Sequence, residues 1–186
     1  MQRPPILHFT VATLIWLSCP AFALASPHTP TKLNACGLIT KKEVQDTAGV
    51  QVTDGNLADL FALSGSSIMA GTTQCHFAAL DGKQDNRSVI IQLQDKKNPS
   101  EAAQALNELI ASLQSPNNPI SLLDSCDPVQ GIGEKAYWLV GLPAPTGELY
   151  VLSKRYYFSI KITAGTAKEN LPQAKELAAR ALQRLP

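Results

Sequence analysis

Residues 148–163 constrain the fold more tightly than any other stretch of this chain. Polarity alternates through Glu148-Leu149-Tyr150-Val151-Leu152 and again through Tyr157-Phe158-Ser159-Ile160-Lys161. With Lys154-Arg155 as the turn, Leu149 faces Ile160 and Val151 faces Phe158 on one side. On the other, Glu148 faces Lys161, Tyr150 faces Ser159 and Leu152 faces Tyr157. Side chains alternate with a period of two, so slipping the register by one residue would turn all of them to the opposite face. Apolar pairs on one face and an opposite-charge pair on the other therefore specify an antiparallel hairpin. Lys-Arg is poor chemistry for a two-residue turn that wants positive φ, and a looser turn would keep the strands while shifting details.

The other elements follow from periodicity and punctuation. Thr40-Lys41-Lys42-Glu43 is a capping box and Gly49 a C-terminal stop, which predicts a helix over 41–48. Val50 and Val52 alternate with polar neighbours and predict a strand, after which the pattern is lost over 54–72, a serine- and glycine-bearing loop where a binding element could sit. Strands over 74–80 and 88–94 flank Asp81-Gly82 as a hairpin. Asn98 as N-cap, Pro99 at the first helical position and Glu101 start a second helix that ends near Gln114. A strand-like 120–123, the Cys126 segment and a strand over 136–140 precede the 148–163 hairpin, and an amphipathic helix over 172–184 closes the chain. That order predicts one α+β domain over 33–186, an antiparallel sheet with helices packed on one face and the other open to water.

Ahead of this domain, Arg3, an apolar stretch from Ile6 to Leu17 and Ala23-Leu24-Ala25 form the n-region, h-region and small-x-small site of a signal peptide over 1–25. His8, Thr10, Thr13 and Pro20 interrupt the stretch and disfavour a permanent membrane anchor. Lipid attachment at Cys19 is also disfavoured, because Trp16 stands where a lipobox carries leucine. Residues 26–32 then read as a flexible lead-in. Arg3 is the only charged residue in 1–25, so removing it from 16 basic and 15 acidic residues leaves a neutral domain. Nucleic acid is excluded as a partner, since phosphate binding needs a basic excess or cluster. No transmembrane helix is expected after processing, and the address is periplasmic or secreted.

Three cysteines remain, Cys36, Cys75 and Cys126, and an oxidising compartment makes pairing the default for any two that meet, leaving one over or paired between chains. Cys36 with Cys75 is the favoured pair. Cys126 is then the odd thiol, a buried inert side chain or, alternatively, a reactive one.

Cys36-Gly37-Leu38-Ile39-Thr40-Lys41-Lys42-Glu43-Val44 resembles the Cys-x-Leu-Leu-Thr-x-x-Glu-Val opening of small secreted or lipid-anchored bacterial domains of unknown function. Gln74-Cys75-His76-Phe77 is similar to that family's second, Cys-aromatic strand, and the likeness continues through Val129 to Trp138 and Leu149 to Leu152. The resemblance implies a Cys36–Cys75 disulfide and a sheet with flanking helices; it implies no activity.

Chemical motifs are sparse. Gly131-Ile132-Gly133-Glu134-Lys135-Ala136 fits G-x-G-x-x-A, but a dinucleotide site needs a helix after the turn and here a strand follows. His28 and His76 lack zinc-site spacing, and Ser66 and Ser67 lack a nucleophile elbow. No catalytic, cofactor or metal residue is assigned. Tyr150, Leu152 and Tyr157 share the hairpin's second face and form a candidate binding surface, although tyrosines are also ordinary strand residues. The resulting expectation is a non-enzymatic envelope module that binds a protein or small ligand. An envelope enzyme or thiol-active protein using Cys126 is the alternative.

Overall fold

The computed structural model describes residues 33–59, 71–80, 88–115, 123–141, 146–163 and 165–186. The expected signal peptide, the lead-in and the 60–70 part of the expected loop lie outside the described residues.

Local signals fix the first helices. Asn34 caps a single turn, α1 (Ala35–Leu38), its Oδ1 accepting from the Gly37 amide at 3.1 Å. In α2 (Lys41–Ala48) the capping box closes both ways: Thr40 Oγ1 accepts from the Glu43 amide at 3.3 Å, and the Thr40 amide donates to Glu43 Oε2 at 2.8 Å. Gly49 ends the helix at φ 67°, the left-handed conformation glycine adopts without steric cost.

Seven strands follow: β1 (Asn56–Asp59), β2 (Thr72–Ala78), β3 (Ser88–Asp95), β4 (Leu123–Pro128), β5 (Lys135–Gly141), β6 (Gly147–Ser153) and β7 (Tyr156–Ile162). They form one antiparallel sheet in the order β1-β2-β3-β7-β6-β5-β4. The β6–β7 register is the one the polarity pattern specifies, from Glu148 opposite Lys161 to Leu152 opposite Tyr157. Lys154 meets the turn's demand by adopting φ 53°, while its amide donates to Glu134 Oε1 at 2.7 Å. The expected strand around Val52 reduces to a single bridge to Ala79, and part of the expected loop forms the edge strand β1.

Two longer helices complete the domain, α3 (Pro99–Gln114) and α4 (Ala167–Leu182). The former begins where Asn98 and Pro99 predict, Asn98 Oδ1 accepting from the Glu101 amide at 2.9 Å. By contrast, α4 starts five residues before the expected Pro172, on a second capping box formed by Thr166 and Glu169. Proline removes one backbone donor, and Pro172 is accommodated early in the helix, where buried Asn170 donates to the Ile162 carbonyl at 2.9 Å and ties α4 to the end of β7.

The helices divide between the sheet faces. On one face α1, α2 and α4 cover Phe77, Ile91, Leu93, Leu149, Val151, Phe158 and Ile160, as expected. On the other lies α3, whose Ala102, Leu106 and Ile110 pack with Leu139, Leu152 and Tyr157. The one-sided covering expected from the sequence thus holds for three helices and not for α3. Strands β5 to β7 carry apolar side chains on both faces, and a second layer is needed to remove them from water.

The Cys36–Cys75 disulfide joins α1 to β2 across 39 residues, and the Ala35 amide donates to Thr73 Oγ1 at 2.9 Å beside it. Closing a loop of that length stabilises by about 4 kcal/mol in the chain-entropy account. At the opposite end, Arg184 donates to the Leu38 carbonyl at 2.8 Å and to Glu43 Oε1 at 2.9 Å, linking the tail after α4 to α1 and α2.

Two stability predictions follow from these contacts. Lys154→Gly relieves a left-handed strain of about 1–2 kcal/mol against the roughly 0.5–1 kcal/mol by which glycine's freedom favours the unfolded chain, so the unfolding free energy should rise by up to about 1 kcal/mol in urea titrations; a loss would mean that this entropy together with the Lys154 ammonium bond to Pro186 O, 2.7 Å, outweighs the strain. The Arg184 guanidinium, opposed by partial burial and aided by Thr40, lowers the Glu43 carboxyl from 4.5 to about 2. A depressed folded-state value stabilises above the unfolded value and loses that effect as the group protonates. Stability should therefore fall as pH drops from about 4.5 towards about 2, and Glu43→Gln should flatten that part of the profile.

Candidate binding cleft

The register of the central strands builds a polar floor beneath α3. Gln92 of β3 lies opposite Ser159 of β7, which lies opposite Tyr150 of β6, and the next row runs from Gln94 through Tyr157 to Leu152. Ala105, Leu109, Glu108 and Ser112 of α3 form the facing wall, and Lys96 stands at the margin with its ammonium 5.8 Å from the Tyr157 ring centre. Between wall and floor is a cleft of about 540 Å³, within the range of about 300–1,000 Å³ common to small-molecule sites.

Hydrogen bonding on this floor is incomplete. Gln92 Nε2 donates to Gln74 Oε1 at 3.1 Å. Gln94 Oε1 and Ser159 Oγ have no partner, although their residues are only 8% and 2% exposed. An unsatisfied buried polar atom costs about 1–3 kcal/mol, and Thr47 Oγ1 and Thr72 Oγ1, whose residues do not line the cleft, are in the same condition. Burial pushes the Tyr157 hydroxyl up to about 12, with Gln94 opposing the shift. Burial, reinforced by the neighbouring Glu148 carboxylate, pushes Tyr150 higher still. Both phenols are neutral at physiological pH, and the floor carries no charge.

Tyr150, Leu152 and Tyr157 do share one face, but that face lies under α3. Leu152 and Tyr157 are buried in the second core, Tyr150 is half-buried, and the two tyrosines line the cleft. Sequence reasoning missed Gln92, Gln94 and Ser159. Their signal was the pair of amides alternating with Ile91 and Leu93, which places two polar side chains on the second face of a strong strand.

Cys126 sits on β4 opposite Leu139, half-buried against the α3 layer, with no disulfide partner. Burial first, and Asp127 next, raise its thiol above the ordinary value, while a hydrogen bond with Gln114 opposes them. Gly131 and Gly133 form a turn between antiparallel strands, with φ 79° and 59°. A Cβ on Gly133 would meet the Leu152 carbonyl oxygen at 2.5 Å, and the neighbouring Glu134 amide donates to that oxygen at 2.9 Å. That close approach, with no helix following, makes the glycine pair a structural turn. His76 is half-buried on β2, and among the described residues no cluster of three or more His, Cys, Asp or Glu side chains could hold a metal. Nor is any helix among the described residues long and apolar enough to cross a membrane.

Compared with known proteins, the chain matches no family model, and no curated protein matches it.

A thiol held protonated reacts slowly, because the thiolate is the nucleophile. Iodoacetamide at neutral pH should modify Cys126 in the folded protein about tenfold more slowly than a solvent-exposed thiol, followed by mass spectrometry without reductant. Modification as fast as that of free cysteine would identify an activated thiol.

Proposed function

We propose that this chain is an exported, non-enzymatic binding module of the cell envelope that holds a small ligand between α3 and the sheet. The observation that carries this reading is the open cleft itself, about 540 Å³, with Gln92, Gln94, Tyr150, Tyr157 and Ser159 on its sheet side and Ala105 and Leu109 of α3 facing them. A cavity without a binding role is most stable when filled by apolar side chains or when its polar atoms pair with each other. The address rests on the signal-peptide pattern of residues 1–25, and the Cys36–Cys75 bond is consistent with an oxidising compartment. Burial of Cys126 weighs against the thiol-active alternative, and no second observation favours it.

Filling the cleft tests this. Ala105 faces the floor from α3, and Ala105→Trp should occupy the space where a ligand would lie. In a fragment screen followed by protein NMR, hits on the native chain should shift the Gln92 and Gln94 side-chain amides. Those shifts should vanish in Ala105→Trp. Fragments that scatter over the surface, or that bind both proteins equally, would remove the cleft as the site.

A further inference from the structure

We propose that the ligand is a short peptide with both ends free, its terminal carboxylate at Lys96 and its terminal ammonium at Glu108. This rests on the cleft being the binding site. Lys96 is half-buried, follows β3 and stands over the Tyr157 ring, whereas Glu108 is exposed on α3 and accepts from Gln104 Nε2 at 2.8 Å. Both side chains line the cleft and both are accessible to a ligand. Among the described residues neither meets an opposite charge, and they do not pair with each other.

Opposite charges fixed on two sides of one cleft sort ligands by charge. An anion gains from Lys96 and is repelled by Glu108, and a cation meets the reverse. A neutral ligand takes water from both groups without bringing either a counter-charge. A zwitterion aligned with the two satisfies both at once through charge-assisted hydrogen bonds.

Spacing selects among zwitterions. Lys96 lies ahead of α3 and Glu108 nine residues into it, about 13 Å along the helix axis from its start. Two or three extended residues, at about 3.3–3.6 Å each, close that gap once the two long side chains reach inward. A single amino acid carries both charges on one carbon and falls short. Between the charged ends, Ala105, Leu109 and the rings of Tyr150 and Tyr157 offer apolar surface to small side chains. Strands β3, β7 and β6 are each paired on both sides, so no sheet edge is free for the peptide main chain and its two ends carry the recognition.

The test is a protein-observed NMR titration of the folded domain with dialanine and trialanine, with their N-acetyl and C-amide forms, and with leucine. At least one uncapped peptide should shift the Gln92 and Gln94 side-chain amides, and each cap should weaken its binding about fivefold. In Lys96→Gln the penalty for amidation should vanish while that for acetylation remains, and Glu108→Gln should show the reverse. A variant that is merely misfolded weakens every peptide alike and cannot cancel the effect of one cap alone. Lys168→Ala, exposed on α4, should bind as the native chain does. Caps that change nothing, or cap penalties that survive in both variants, overturn the peptide assignment and leave the cleft standing. Leucine binding as tightly as trialanine overturns it as well. Silence from every peptide overturns the assignment too, and the fragment comparison with Ala105→Trp then decides the cleft itself.

Discussion

Strand β7 must be buried on both faces, and the layers on either side of the sheet depend on it. Six of its seven residues are buried, Tyr156, Phe158, Ile160 and Ile162 in the core shared with α4 and the N-terminal helices, Tyr157 and Ser159 on the α3 side. It is also the seam of the sheet, pairing with β3 on one side and β6 on the other. The chain between β3 and β7 forms α3 and the strands β4 to β6, so docking β7 beside β3 closes a long loop and fixes α3 over the second face. Long-range pairing of this kind is entropically costly to form and is repaid only when both layers close on it.

The periphery is held by fewer, stronger ties. On the β2 side the Cys36–Cys75 bond anchors α1, a single turn that is too short to persist alone and is also held by its buried Ala35 and Leu38 and by the Ala35–Thr73 hydrogen bond. Near the C-terminus, Glu43 uses one oxygen for its own capping box and the other for Arg184, so the same carboxylate starts α2 and holds the segment after α4. Arg180 approaches the same carboxylate at 3.8 Å. Arg184 is the largest cause of the depressed pKa of Glu43, burial opposes it, and the Thr40 amide and hydroxyl add to it, because each donor favours the ionised form.

How much of this the sequence discloses follows the range of the interactions involved. The β6–β7 register, the box at Thr40, the start of α3 and the Cys36–Cys75 pair were legible because each rests on a local pattern or a small set of alternatives. The Thr166–Glu169 box was legible too, being the same Thr-x-x-Glu pattern as Thr40–Glu43, but Pro172 drew the expected helix start to itself. Strand β1 was not legible: its four residues lack alternation and gain strand structure from pairing with β2. The side taken by α3 was hidden for a related reason, since an amphipathic stripe states that a helix packs without stating on which sheet face. Only the joint burial demand of Leu139, Leu152 and Tyr157 decides it.

The cleft was hidden by the same logic, and its origin lies in how α3 meets the seam. The helix buries Ala102, Leu106 and Ile110 over β5 to β7, where the floor is apolar, and turns Ala105, Leu109 and Ser112 towards β3, where it is polar. Small and polar side chains on both sides of that margin cannot interdigitate to native density, so a gap persists. Replacing Gln94 and Ser159 by apolar residues would let the second core extend to β3. Keeping an amide and a hydroxyl at the most buried positions of the margin leaves Gln94 Oε1 and Ser159 Oγ without partners and lowers stability relative to an apolar margin.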